Sequence, residues 1–342
     1  MTDSSISNYI RLPPTSTNRE FLAFIEHAKK VKTIAVDTES TGKEIRDDRG
    51  WAMGLSISYE ITDDVVASCY FPLRHKSDNL DREIWDALKV LLSAYPGTIV
   101  FHNSKFDLTS LLTLGIDVMG TFWDTMLMAH MVNENIKSKA LDYLAQTYLK
   151  DSGKERSVAM NLFIKDGLGW EWAPPLLIWD YACHDTEMTY RLYKKLYAEM
   201  ESQDLIDLWP VEQKFVRVIR EMESRGVKID KEHCARELIK GSMAMSNIIG
   251  ELGYDPAKPT DMAKLFFDKL KLPVVKTTPG GKPSFDKFAM EMYDELLADS
   301  DNPTAQRVLE YRGWQKTLTS NYRPYLELIS PDASRSMLLG WA

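Results

Sequence analysis

Apolar residues first recur at helical spacing at Phe21, Leu22, Phe24, Ile25, Ala28 and Val31, and the pattern then changes to the β-branched run Thr33-Ile34-Ala35-Val36, which stops at Asp37. The spacing predicts a helix followed by a buried strand. Around Met53 to Tyr59 and Val65 to Phe71 the pattern is strand-like, and Ser-Ile-Ser alternation predicts a half-buried antiparallel pairing. A helix from about Arg82 to Leu92 leads into another buried strand, Thr98-Ile99-Val100-Phe101. From Lys105 the period turns helical: Phe106, Leu108, Leu111 and Leu112 mark one helix, Phe122 through Val132 another, and Leu141, Leu144, Tyr148 and Leu149 a third. Asp151 to Pro175 holds Gly153, Gly167, Gly169 and the pair Pro174-Pro175, which predicts a partly irregular stretch before a long helix from about Leu177 to Ser202.

Length and charge narrow the classes. At 342 residues the chain exceeds what one core usually supports, so two domains are expected. No apolar run is long enough to span a bilayer, and the start MTDSSISNYIRLPP has neither the basic nor the apolar part of a secretory signal. Cys69, Cys183 and Cys234 are too few and too scattered for a disulfide framework or a zinc site, which points to a reducing cytoplasm, at a nucleoid or in a host cell. A net charge of -8 argues against coating nucleic acid by bulk electrostatics but leaves room for a local basic surface.

Three short segments carry the candidate chemistry: Asp37-Thr38-Glu39 at a strand end, Asn103-Ser104-Lys105-Phe106-Asp107 at a strand-to-helix junction, and Tyr181-Ala182-Cys183-His184-Asp185 on the long helix. Residues four apart share a helix face, so Tyr181 and Asp185 point the same way. Four carboxylates in one site repel one another unless divalent cations neutralise them, and that points to a two-metal centre for phosphodiester cleavage. Each segment alone also has a plain structural reading. Asp-x-Glu arises by chance, Asn103 or Ser104 reads as a helix cap with Asp107 favouring the dipole, and Tyr181 with Asp185 reads as a helical polar pair beside a surface or satisfied His184. Their order and contexts together favour the catalytic reading.

In that order the segments resemble the DEDD exonuclease superfamily, tyrosine subgroup, on an α/β ribonuclease H-like fold with a mixed central sheet flanked by helices. The resemblance implies that Asp37, Glu39, Asp107 and Asp185 hold two Mg²⁺ (or Mn²⁺) ions, that Tyr181 orients the attacking water, and that Asn103 lies near the scissile end of the strand. Hard oxygen donors suit these ions, with water and substrate phosphate completing the shell. The histidine subgroup needs His where this chain has Asp180. After the acidic pair, relatives often carry a leucine that wedges near the terminal bases; here Lys43 follows Gly42, and a lysine there contacts phosphate or buries its stem. Products would be 5′-mononucleotides.

The C-terminal part resembles the thumb of family A, DNA polymerase I-like, DNA polymerases. Leu208-Trp209-Pro210-Val211-Glu212-Gln213 and the turn Ser224-Arg225-Gly226-Val227 are similar to the join between exonuclease and thumb. An amphipathic helix from Asp261 to Leu272 precedes a loop whose Lys276, Thr277, Lys282 and Ser284 resemble the thumb-tip residues that track a duplex backbone, and Val308 to Lys316, with Arg312, resembles the helix leading towards the palm. The expected organisation is an exonuclease domain over residues 1–204 and a mainly α-helical thumb over 205–342, binding a single-stranded DNA 3′ end and duplex respectively. Palm and fingers signatures are absent before Ala342, so this chain alone is not expected to polymerise; it reads equally as a fragment, as a truncated product, or as one part of a split polymerase whose palm and fingers are a separate partner chain. A ribonuclease D-like RNA trimmer shares the same site, and a non-catalytic DNA-holding module shares the same fold; preference for RNA or DNA ends discriminates the first, and the intact carboxylate set argues against the second.

Overall fold

The computed structural model describes residues 9–42, 50–62, 65–151 and 169–327. Lys43, most of the stretch expected to be irregular after Asp151, and the residues beyond 327 lie outside the described residues. The chain forms two compact units that divide between Ser224 and Arg225.

The first unit is built on a six-stranded mixed sheet. Its strands are β1 (Tyr9–Leu12), β2 (Thr33–Ser40), β3 (Ala52–Thr62), β4 (Val65–Pro72), β5 (Thr98–Phe101) and β6 (Phe122–Asp124), in the order β1-β4-β3-β2-β5-β6. β3 runs antiparallel to both β2 and β4, while β5 and β6 run parallel to β2, which gives the ribonuclease H-like arrangement. β1, a four-residue strand with no sequence-level signal, pairs parallel with β4.

Helices cover both faces. α1 (Asn18–Ala28) begins with a capping box in which Thr17 and Glu20 satisfy each other's backbone N–H, and it buries Phe21, Phe24, Ile25 and Ala28. Phe21 meets Phe71 at 5.6 Å and Phe24 meets Tyr59 at 4.7 Å between ring centroids. α2 (Arg82–Ser93) packs beside α1 and buries Ile84, Leu88, Leu91 and Leu92. On the opposite face α6 (Pro175–Ser202) crosses β2, β3 and β4; between them come α3 (Ser104–Thr113), α4 (Thr125–Val132) and α5 (Leu141–Leu144), the last running on into a π-helical turn, Ala145–Leu149. α7 (Trp209–Arg225) is fixed to the first unit by Trp209, whose indole stacks on Trp123 at 4.7 Å and donates to Phe122 O at 2.8 Å.

Two expectations are corrected here. Phe122 to Asp124 is a strand rather than the start of a helix, because Asp124 ends β6 and caps α4, its carboxylate accepting from Met126 N and Leu127 N. β3 is buried on both faces, not one. Its serines turn inward to the helix: Ser56 Oγ donates to Ala182 O at 2.9 Å, and Ser58 Oγ donates to Thr186 Oγ1 at 2.7 Å. Alternating Ser and Ile therefore mark a polar seam under α6, not a solvated face.

The second unit is helical. α8 (Lys231–Leu252), α9 (Pro259–Ala263) with its π-helical continuation Lys264–Lys269, α10 (Lys287–Leu297) and α11 (Thr304–Thr317) gather around Phe266, Met290, Tyr293 and Val308, and a further turn and α12 (Arg323–Glu327) follow. The three cysteines are buried and unbridged. Among the described residues no helix is long and apolar enough to cross a membrane.

Candidate active site

β2 carries Asp37 and Glu39 on the same face, two residues apart. Glu39 pairs with Gly54 on β3, and the next pair, Ser40 with Ala52, skips Met53, so a β-bulge sits directly opposite the acidic pair. A side chain at Gly54 is excluded: an added Cβ would stand 2.5 Å from both Phe71 O and the Tyr70 hydroxyl. That hydroxyl bonds His75 Nε2 at 2.7 Å, and His75 Nδ1 bonds Ala173 O at 3.1 Å. A carbonyl only accepts, so Nδ1 carries the proton and Tyr70 donates to Nε2. Burial lowers the His75 pKa and keeps the ring neutral.

Asp107 reaches the cluster from the first turn of α3. It is buried, and Oδ1 accepts from Thr38 N at 3.0 Å and Thr38 Oγ1 at 2.7 Å, so the residue between the two acids of β2 fixes the third carboxylate. Neither Asn103 nor Ser104 caps α3 with its side chain. Asn103 adopts the left-handed conformation at φ 72°, and the buried Asp124 carboxylate accepts from Asn103 N (3.1 Å), Ser104 N (2.7 Å) and Ser104 Oγ (2.7 Å). Asp124 thus positions both Asn103 and Asp107, a role hidden from sequence by its distance along the chain; the signal was an Asp placed before an apolar helical run. Phe106 is half-buried.

Tyr181 and Asp185 come from α6, which the serine seam of β3 holds against the sheet. The phenol bonds the Asp185 carboxylate, and its pKa is raised first by the charge of Asp185, then by burial and by Glu39 and Asp37. It stays protonated. His184 is buried rather than on the surface, its Nε2 lying 3.8 Å from Asp151 Oδ1, and Asp180 is engaged by Arg11.

The four carboxylates are electrostatically one site. Asp37 is raised well above the ordinary carboxylate range by burial and then by Asp107, Glu39 and Asp185. Burial and then Asp185 and Asp107 push Glu39 to about 8. Asp107 also stands at about 8, raised by burial and Asp124 against the lowering hydrogen bonds of Thr38. Glu39 and Asp107 are buried, whereas Asp37, Tyr181 and Asp185 are half-buried and reach solvent. A cluster of acids that resist losing their protons fits divalent cations, and the donors are all hard oxygens. Among the described residues no group of three or more acidic, His or Cys side chains forms a ready-made metal cage; Mg²⁺ suits such an open arrangement, since it keeps several waters and takes few protein ligands.

The raised values have a thermodynamic consequence. In the unfolded chain Glu39 and Asp107 titrate near about 4, so between about pH 4 and about pH 8 the folded protein retains protons that the unfolded chain has released. Stability from these groups is therefore present at the acid end and lost as pH rises through 8. A divalent cation would bind this cluster only in its deprotonated form, so if Mg²⁺ is held here the rise in Tm on adding it at saturation is expected to grow from about pH 5 to above pH 8 and to shrink in the E39Q/D107N double variant. A Mg²⁺ effect independent of pH in the wild-type protein would contradict this linkage.

In the second unit the loop residues lie together. Thr277 bridges Pro283, Thr278 N donates to Lys282 O at 2.7 Å, and Ser284 N donates to Lys276 O at 2.9 Å. Thr277 and Lys282 are exposed on this small hairpin, while Ser284 is buried and Lys276 is paired with Asp286 at 2.6 Å. The Arg312 guanidinium donates to Phe285 O, and Lys316 is exposed on α11.

Residues 14–201 match a 3′-5′ exonuclease family of DNA polymerase A type. The DNA polymerase DpoZ of Acinetobacter phage SH-Ab 15497 is 30% identical over 306 residues, covering 83% of this chain and 46% of its own length. DNA polymerase I of Pseudomonas aeruginosa is 26% identical over 336 residues, 92% of this chain and 35% of its own. Among solved structures, the POL domain of Pol1 from M. smegmatis, in complex with DNA primer-template and dNTP, superposes with a TM-score of 0.68 at 19% identity over 96% of this chain and 51% of that chain. The chain thus spans about half the length, or less, of these relatives.

Proposed function

Because the chain belongs to the 3′-5′ exonuclease family of A-type DNA polymerases, we propose that its carboxylate cluster removes 3′-terminal nucleotides from DNA as 5′-mononucleotides, in the manner of proofreading. The observation that carries this reading is the convergence of Asp37, Glu39, Asp107 and Asp185, from three distant segments, on a phenol that stays protonated. Asp37, Glu39, Asp107 and Asp185 would hold two Mg²⁺ or Mn²⁺ ions, which supply Lewis-acid polarisation and charge neutralisation at the scissile phosphate. Tyr181, whose single O–H is donated to Asp185, would orient the attacking water by accepting a hydrogen bond from it at the phenol oxygen. Thr38 and Asp124 hold Asp107 in place. Asn103, which opens the same helix, would lie near the scissile end of the strand.

The exonuclease module is assigned to residues 1–204 and a thumb to 205–342, with the exposed Thr277, Lys282 and Lys316 facing duplex DNA; Lys276, Ser284 and Arg312 act there through the shape of the loop. Polymerisation belongs to the longer relatives, whose further part would reach this chain as a continuation or as a partner. The test is digestion of a 5′-labelled single strand and of a mismatched primer-template with Mg²⁺, with an RNA strand in parallel. Stepwise shortening of the DNA is expected, and failure to shorten any DNA end would overturn the reading. Tyr181→Phe is expected to lower kcat about 10- to 100-fold with KM nearly unchanged, the usual effect of losing a group that orients a metal ligand; full activity would show the phenol to be dispensable.

A further inference from the structure

Next to the carboxylates lies a feature that hydrolysis itself does not use. Thr41 N donates to Trp51 O at 3.1 Å and Trp51 N donates to Thr41 Oγ1 at 3.0 Å, so the pairing that sets Glu39 against Gly54 continues to this tryptophan. Its indole Nε1 donates to Arg74 O at 3.1 Å, which ties the ring to the segment after β4. In that segment the Lys76 ammonium lies 5.5 Å from the Trp51 ring centroid and 5.7 Å from that of Trp172. Lys76 N donates to Glu171 O at 3.0 Å, which holds the segment against the 3₁₀ turn Trp170–Trp172. Trp51 and Tyr181 pack against one buried cluster that includes Met53, Tyr70 and Ala182.

Three segments distant in sequence thus bring two indoles and an ammonium to one spot beside the site. Trp172 is 59% exposed, and an exposed cation–π contact is a weak return for leaving so much apolar ring in water. A nucleobase stacks on an indole more strongly than an exposed ammonium does, and the phosphates flanking it would take up Lys76 and the exposed Arg74. Strand geometry gives the position: Trp51 opposes Thr41, two residues beyond Glu39, so roughly 7 Å along the strand and about 5 Å across it. That distance corresponds to two or three stacked nucleotides at about 3.4 Å each.

We propose that Trp51, Trp172 and Lys76 form a stacking subsite for bases of single-stranded nucleic acid two or three nucleotides upstream of the 3′ end. The proposal rests on the exonuclease reading above. Because every base has a π-face, such a subsite grips the strand with little base preference, as removal of any terminal nucleotide requires.

The test compares two substrates with the Mg²⁺-loaded protein: a 5′-labelled oligothymidylate, and the p-nitrophenyl ester of thymidine 5′-monophosphate, which is too short to reach the subsite. Trp172→Ala and Lys76→Ala are expected to raise KM for the oligonucleotide, about tenfold for Trp172→Ala, with kcat unchanged and hydrolysis of the ester unaffected. An abasic nucleotide two or three positions from the 3′ end should raise KM in wild type and add nothing further in Trp172→Ala. Unchanged oligonucleotide KM in an active variant, or equal loss on both substrates, would overturn the subsite alone. A wild-type protein inactive on both substrates would overturn the exonuclease reading and the subsite with it.

Discussion

Asp37→Ala is expected to abolish 3′-terminal cleavage while leaving the protein folded and, without metal, at least as stable as wild type. Both halves of this result come from the same geometry. Asp37 stands where burial and the charges of Asp107, Glu39 and Asp185 all raise its carboxyl, with only a backbone hydrogen bond at Thr38 acting the other way. An acid so placed is costly to ionise in the folded state, so removing it relieves repulsion rather than breaking a supporting contact. In the two-metal reading proposed above the placement has the opposite value, since a carboxylate facing all three others would be the one best able to bind both ions. On that reading, losing the shared ligand would remove several kcal/mol of transition-state stabilisation, on the order of 10³- to 10⁵-fold in rate. The measurements are the rate of shortening of a 5′-labelled single strand with Mg²⁺ and the Tm in chelator, each beside wild type. Metal-dependent cleavage at the wild-type rate would remove Asp37 from the site. A large fall in Tm would make it a structural residue.

The motifs were legible because each is local. Asp37 and Glu39 end a β-branched run, Tyr181 and Asp185 are one turn apart, and Asn103 to Asp107 follow a short apolar strand, so period and punctuation alone place them on their elements. What local pattern cannot show is who holds them. Thr38 is 69 residues from Asp107, and Ser56 is 126 residues from the Ala182 carbonyl it bonds. The same limit explains Phe122 to Asp124. Their apolar spacing continues that of the helix, and only pairing with Ile99, Val100 and Phe101 makes them a strand. β1 fails for a related reason: four residues are too few to establish a period, and its place at the sheet edge depends on Arg11.

Arg11 carries the second large expected effect. Its guanidinium, 12% exposed, meets the fully buried Glu187 in a bidentate pair, Nε donating to Oε1 at 2.7 Å and Nη2 to Oε2, while Nη1 donates to Asp180. Ser68 Oγ donates to Glu187 Oε1 at 2.8 Å and completes its environment. Asp180 and Glu187 bracket Tyr181 and Asp185 on α6, so one residue of the edge strand pins the helical segment that brings these two groups of the candidate site to the sheet. Arg11→Met would leave Glu187 charged, buried and short of its main partner. The expected cost is about 3–5 kcal/mol, or on the order of 10 °C in Tm for a unit of this size. The double variant R11M/E187M should recover most of that loss, since an apolar pair of similar volume replaces a buried ion pair at little cost. Thermal denaturation of wild type, both single variants and the double variant closes the cycle. A loss below about 1 kcal/mol for Arg11→Met would show that the pair behaves as a solvated surface bridge and that the serine seam of β3 holds α6 without it.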